Sequence, residues 1–312
     1  VTTQTAGPEK AVTRPGDKIF AGAATGSGIF ILAILAGVAA FLLWQAWPAL
    51  VADPAALPGG NGLWAYVAPL LFGTVISATL ALAIATPLAI GIALFISHYA
   101  PRRLAQTLGY LVDLLAAVPS LVYGLWGLAV IAPASVAISQ WLNTYLGFLP
   151  FFAGPPSATG RTMLVIGIVL AVMILPIMTA VNREVFLQTP RLHEEAALAL
   201  GATRWEMIQM SVIPFGKSGV ISGAMLGLGR ALGETMAIAI ILSVSNVITF
   251  NLIGSANPAT IAGNIALQFP ESSGLAVNAL VASGLVLFAL TLAVNMVARW
   301  IVSRRSEFSG AN

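Results

Sequence analysis

Long apolar runs separated by short polar stretches dominate the chain. Runs long enough to cross a bilayer fall at residues 27–47, 69–97, 108–132, 162–181, 219–244 and 276–302. A helix needs about 20 apolar residues to span a hydrocarbon core about 30 Å thick. The pattern therefore predicts an all-α chain with six membrane helices. The second and fifth runs exceed one crossing, so those helices tilt or extend beyond the bilayer. Residues 1–26 are polar and rich in Gly and Thr, and read as a flexible tail. The first run carries no small-x-small cleavage site and reads as a retained span rather than a signal peptide. Residues 27–312 then form one membrane domain.

Composition agrees. The 312 residues are 58% hydrophobic and 8% charged, with a mean hydropathy of +0.93. Soluble domains carry about 25% charged residues. There is no cysteine, which excludes disulfides, thiolate metal sites and cysteine nucleophiles. No cofactor or metal site is expected. Twelve of the 14 Lys and Arg residues fall on one side of a six-helix topology, at both ends and in the loops after the second and fourth runs. Arg161 lies on the other side, and Arg230 lies inside the fifth run. The positive-inside rule then makes both termini cytoplasmic. The net charge of +3 is accordingly a topology signal, not a nucleic-acid footprint.

Two loops stand out. Residues 133–161 carry Trp141, Tyr145, Phe148, Phe151 and Phe152, and predict an interfacial helix with an aromatic belt or a docking surface, with Pro155 and Pro156 ending it. Residues 183–218 predict two short helices on the cytoplasmic face. Thr189 reads as an N-cap with Pro190 at the first helical position. Gly201 suits the left-handed turn that ends the first helix near Leu200. Thr203 and Glu206 have capping-box spacing, and Pro214 ends the second helix. Leu198, Trp205, Met207, Ile208 and Met210 are too many apolar residues for a free linker; they imply a groove on another protein or packing beneath the membrane helices. The "GKS" at 216–218 imitates the end of a phosphate-binding loop, but Ser211 stands where its first Gly belongs and no strand precedes it. No nucleotide site is expected in this chain, and it is read as no enzyme.

The fifth run contains "GRALGETMAI", with Arg230 and Glu234 four residues apart. Counted from Gly219, Arg230 lies about 16 Å along a helix, near mid-bilayer. A charge there costs about 2.5–3.5 kcal/mol on insertion scales. Spacing i,i+4 places both charges on one helical face. A buried pair seldom gives net stability, so function is the better reason for it. Gly219, Gly223 and Gly227, and the pair Gly229 and Gly233, are spaced for close helix packing, within the chain or against a sister subunit. Pro119, Ser120 and Tyr123 bring a kink and two hydroxyls that could line a path. Asp113 reads as favoured by a helix N-terminus. His98 and His193 read as loop residues without partners.

At residues 183–218 the chain resembles the permease subunits of ABC importers. Their signature is E-A-A, three residues, Gly, nine residues, then I-x-L-P. Here Glu195, Ala196 and Ala197 precede Gly201 at the right spacing, and Pro214 falls in place, while Ser211 and Ile213 replace the expected Ile and Leu. The flanking "SGAMLGLGRALGETMAIAIIL" and "AVPSLVYGLWGL" resemble the phosphate-specific permeases, their C subunit in particular. The resemblance implies a type I importer permease fold in the bacterial inner membrane, with a coupling helix between helices 4 and 5. Glu195, Ala196, Ala197 and Gly201 would meet an ATPase dimer on the cytoplasmic face. The implied partners are that ATPase, a second permease of the A type and an extracytoplasmic phosphate-binding protein. Arg230 would contact the anion and Glu234 would act as its counter-ion, with Ser120 and Tyr123 along the path. Permeases for sulfate or molybdate would share the loop, and a proton-coupled carrier could use Glu234 but would not need the loop.

Overall fold

The computed structural model describes residues 15–306, without the side chains of 302 and 304–306. Six helical stretches are long and apolar enough to cross a membrane, matching the expected number. In chain order the α-helices are α1 (Pro15–Val51), α2 (Leu63–Leu94), α3 (Arg102–Ala116), α4 (Ser120–Trp126), α5 (Ala132–Leu146), α6 (Met163–Leu187), α7 (Arg191–Ala199), α8 (Arg204–Met207), α9 (Ile213–Leu232), α10 (Met236–Ile241), α11 (Ile261–Gln268) and α12 (Leu275–Ser306). Strands β1 (Val244–Ser245) and β2 (Asn257–Pro258) pair in parallel between α10 and α11.

The spans themselves differ from the expected ones in instructive ways. Of the expected tail, residues 1–14 lie outside the described residues, whereas 15–26 already belong to α1. The expected third span at 108–132 is two elements. α3 is amphipathic and buries only Gly109 fully; the chain breaks at Ala117–Pro119, and the crossing helix runs from Ser120 to Leu146. Pro119 lacks an amide hydrogen and biases its predecessor away from helix, which fixes the break. Asp113 consequently lies in the last turn of α3, exposed, not at a helix N-terminus. The predicted interfacial helix of 133–161 is instead the end of this span, followed by irregular chain.

The fifth span also shifts. It starts at Arg204 and ends at Leu232, so Pro214 sits inside it. A π-turn, Ile208–Val212, stands immediately before Ile213 and Pro214. The same device, Gly127–Ile131, precedes Ala132 and Pro133. The wide turn accommodates the proline without ending the helix.

α6 is the centre of the bundle, with most of its residues buried. α9 packs on it antiparallel through Gly216, Gly219, Gly223 and Gly227: a Cβ at Gly216 would collide with Phe186, at Gly219 with Val185, at Gly223 with Asn182 and at Gly227 with Met178. This glycine stripe therefore packs within the chain. Gly229 lies off it and faces open space. Lys18, Arg102, Arg103, Arg191, Arg204 and Arg299 cluster at one end of the bundle, here called the basic face.

Candidate functional site

Depth follows from packing. A Cβ on Gly227 would lie 2.9 Å from Met178 Sδ and 3.6 Å from Ile174 Cβ, both near the middle of α6. Arg230 is three residues further on, about 4.5 Å away from the basic face. It therefore stands level with the middle of α6, although it is close to the C-terminal end of its own span, Arg204–Leu232.

What surrounds it differs from the expectation. Helix α9 stops at Leu232, so Arg230 and Glu234 do not share a helical face. Among the described residues, no carboxylate lies within ion-pair distance of Arg230. Its Nη1 donates to the Ala116 carbonyl at 3.5 Å, a weak bond, and its charge is close enough to act on the Tyr123 hydroxyl. Tyr123 Oη donates to the Leu115 carbonyl at 2.8 Å. Arg230 and Tyr123 thus meet at the C-terminus of α3, where bare carbonyls favour a cation. One weak bond leaves most of the five guanidinium donors unused. Ser120, first in α4, is half-buried and makes no hydrogen bond to the others.

Glu234 is buried, and its Oε1 accepts the Ala237 amide hydrogen at 3.0 Å. It caps the start of α10, where the helix dipole stabilises an anion. The other end of α10 is held by Arg161. Its Nε donates to the Ile241 carbonyl at 2.9 Å, and its Nη2 to those of Ile240 and Leu242 at 3.3 and 3.2 Å. Sequence reading left Arg161 without a role; being the only basic residue on its side of the topology was the available signal. α10 rests on α4, where a Cβ on Gly124 would stand 2.8 Å from Ala237 Cα.

Irregular backbone follows α10 and is tied to the start of α6 and to α2 by buried side chains. The Asn257 Oδ1 accepts the Met163 amide at 3.0 Å, and its Nδ2 donates to the Arg161 carbonyl at 3.0 Å. Thr74 Oγ1 accepts the Ile261 amide at 2.9 Å. Non-helical chain at membrane depth persists only when enclosed by protein or lining a water-filled cavity.

At the basic face, α7 ends in a Schellman motif: Ala202 N donates to the Ala197 carbonyl and Gly201 N to that of Leu198. Gly201 has φ +87°. The capping box of Thr203 and Glu206 is present. The N-cap of α7 is Pro190, not Thr189, whose buried hydroxyl finds no partner. Ala197, Met207 and Ile208 pack against Leu94 and Phe186, beneath the membrane helices. Glu195 and Ala196 are exposed, as are Leu198, Leu200, Trp205 and Met210. His98, expected to lack partners, lies 2.6 Å from Ser97 Oγ and 3.4 Å from Glu194 Oε1, so it joins the end of α2 to α7. The "GKS" stretch lies within α9, in helical backbone.

Comparison with known proteins agrees with this architecture. The sequence model of the family described as binding-protein-dependent transport system inner membrane component matches residues 85–307. The phosphate transport system permease protein PstC 2 of Mycobacterium tuberculosis is 45% identical over 300 residues, 92% of each chain. The phosphate transport system permease protein PstC of Mycobacterium leprae is 46% identical over 306 residues, covering 94% of this chain and 95% of its own. Among solved structures, a bacterial ABC transporter that imports the acidic polysaccharide alginate superposes with a TM-score of 0.61 at 16% identity, over 92% of this chain and 96% of its own. The MetNI methionine ABC transporter, inward facing, superposes with a TM-score of 0.51 at 17% identity, over 81% and 99%.

Proposed function

The chain belongs to the family of binding-protein-dependent transport system inner membrane components, and we propose that it is the permease subunit of an ATP-driven importer of inorganic phosphate. The observation that carries the reading is Arg230, a guanidinium level with the middle of α6 that, among the described residues, has no carboxylate at ion-pair distance and leaves most of its donors unused. Phosphate at neutral pH brings negative charge and several acceptor oxygens, which a planar fork of donors matches. A conducting site must bind well enough to fill and weakly enough to empty. The carbonyls of Leu115 and Ala116 compete for the local donors and moderate retention. Glu234 acts through α10, whose start it caps, rather than as a direct counter-ion. Tyr123 and Ser120 border the same path.

ATP is hydrolysed by a separate subunit. The exposed apolar residues Leu198, Leu200, Trp205 and Met210, together with Glu195 and Ala196, present a surface for that subunit at the basic face, which is cytoplasmic on this reading. Ala197 anchors the surface from beneath, and Gly201 turns it. A second permease and an extracytoplasmic phosphate-binding protein complete the assembly.

The test is reconstitution. The chain is assembled in proteoliposomes with its ATPase, sister permease and binding protein, and labelled phosphate uptake is followed. The expected result is ATP-dependent accumulation that excess sulfate or molybdate does not suppress, with no ATP hydrolysis by the chain alone. Uptake of sulfate in preference to phosphate would assign a different oxyanion to the same fold.

A further inference from the structure

Three adjacent polar residues of α6 are left without partners. Thr179 and Asn182 are fully buried. Thr179 Oγ1, Asn182 Oδ1 and Nδ2, and Arg183 Nε make no hydrogen bond. Among the described residues, no carboxylate pairs with Arg183. Thr179 stands one turn from both Asn182 and Arg183 on α6, and those two consecutive residues face α9 and α3 respectively. A buried polar atom left unsatisfied is destabilising, and a poorly hydrated charge is more so. Two glycines admit the group. A Cβ on Gly109 of α3 would collide with Arg183 Nη1, and one on Gly223 of α9 would lie 3.0 Å from Asn182 Oδ1.

The cluster is aligned with Arg230. Arg230 bonds to Ala116 at the end of α3, while Arg183 lies against Gly109, seven residues earlier on the same helix, about 10 Å nearer the basic face. We propose that Thr179, Asn182 and Arg183 form a second oxyanion station, which receives phosphate after Arg230 and passes it toward the basic face. This rests on the reading of the chain as a phosphate permease. Arg183 supplies a fork of donors, Asn182 an amide hydrogen pair and Thr179 a hydroxyl. Asn182 Oδ1 accepts the hydroxyl that phosphate retains at neutral pH and sulfate lacks, so the station discriminates between them. Conduction through successive weak sites needs such a second stop. The closed arrangement leaves these groups unpaired; the anion satisfies them when α3 and α9 part. The phosphate group that satisfies Arg183 is that of the free anion, not of a lipid headgroup.

The chain has no cysteine, so a single Thr179→Cys reports on the station in a complex whose other subunits are cysteine-free. The assembled importer is held in lipid nanodiscs, and modification of Cys by a cationic thiosulfonate is timed during ATP turnover. Millimolar phosphate is expected to slow it at least about fivefold, sulfate much less, and Arg183→Gln should remove the protection. Separately, with Thr179 intact, Arg183→Gln should lower saturated phosphate uptake about tenfold with KM for external phosphate little changed, and Arg183→Lys should recover part of the rate. Modification indifferent to phosphate overturns the proposal. So does protection that follows the content of anionic lipid instead, which would assign Arg183 to headgroups. Wild-type uptake by Arg183→Gln, in a complex that Arg230→Gln silences, removes this station while leaving the permease reading in place. If the unaltered complex imports no phosphate, both readings fall.

Discussion

Two regions interrupt the bundle with non-helical backbone, and they are held in opposite ways. Around Gly201 the bonds are local. The Schellman turn closes over Ala197–Ala202 and the capping box over Thr203–Glu206. From Gly233 to Ile261, a stretch that includes the short α10, remote bonds join local ones such as the Glu234 cap on Ala237. Arg161 reaches 80 residues to Ile241, Asn257 reaches 94 to Met163, and Thr74 reaches 187 to Ile261. A turn at the surface needs only its own residues to satisfy its backbone, and water does the rest. A turn at membrane depth must borrow partners from whichever helices enclose it. The turn at Gly201 therefore depends on its own residues, whereas the segment after α9 depends also on partners elsewhere in the chain.

The difference can be broken by substitution. The largest effect is expected where α10 rests on α4. Gly124→Val inserts atoms where Ala237 Cα already stands close, displacing α10 from α4. Overpacking costs about 1–3 kcal/mol, and here it also removes the support of the Glu234 cap. Phosphate uptake should fall below detection while the chain still inserts, measured as uptake per membrane-embedded complex. Gly201→Val comes next. A β-branched residue at φ +87° is strained by at least about 1–2 kcal/mol, but its Cβ meets no neighbour, so the strain stays local. The ratio of phosphate imported to ATP hydrolysed should drop about tenfold, with assembly of the complex intact. Arg161→Gln is expected to be mildest. It removes the three-carbonyl cap of α10 but leaves Glu234, at a cost of about 1 kcal/mol. Hydrogen exchange across 238–245 should quicken about fivefold and uptake should fall a few-fold. Exchange unchanged there would mean that α10 does not depend on its remote partner, and the contrast between the two regions would dissolve.

The same contrast explains what the sequence could disclose. Six spans were visible because lipid exposure leaves a run of apolar residues wherever a helix crosses. The turn at Gly201 and the box at Thr203 and Glu206 were visible because their rules act over three to six residues. The end of α9 at Leu232 was not. Gly233, the C-cap of α9, was the one local signal in "GRALGETMAI"; the capping of α10 by Glu234 and the hold of Arg161 on its far end were not visible in the sequence. The spacing of Arg230 and Glu234 consequently suggested a pair that the backbone separates. Pro214 misled for the converse reason: a local breaker was absorbed by a π-turn. Span three was misplaced because α3 shares apolar residues with a crossing helix but presents them on one side. Arg230 was legible as a charge deep in an apolar run; its separation from Glu234 and its setting at the end of α3 were not.

The central claim is that Arg230 meets the anion, while Glu234 serves α10 and does not neutralise Arg230. The direct test is labelled phosphate uptake by Arg230→Gln, Glu234→Gln and the double substitution, in cells lacking other phosphate transporters and with complex levels measured in parallel. Arg230→Gln is expected to lose at least about a hundredfold, since a charge-assisted contact at low dielectric is worth several kcal/mol. Glu234→Gln should be slowed but active, because its amide oxygen can still accept from Ala237. The double substitution should be as inactive as Arg230→Gln alone, with no cation at that position. Recovery of uptake in the double substitution would contradict the account and make Arg230 a partner of Glu234 alone.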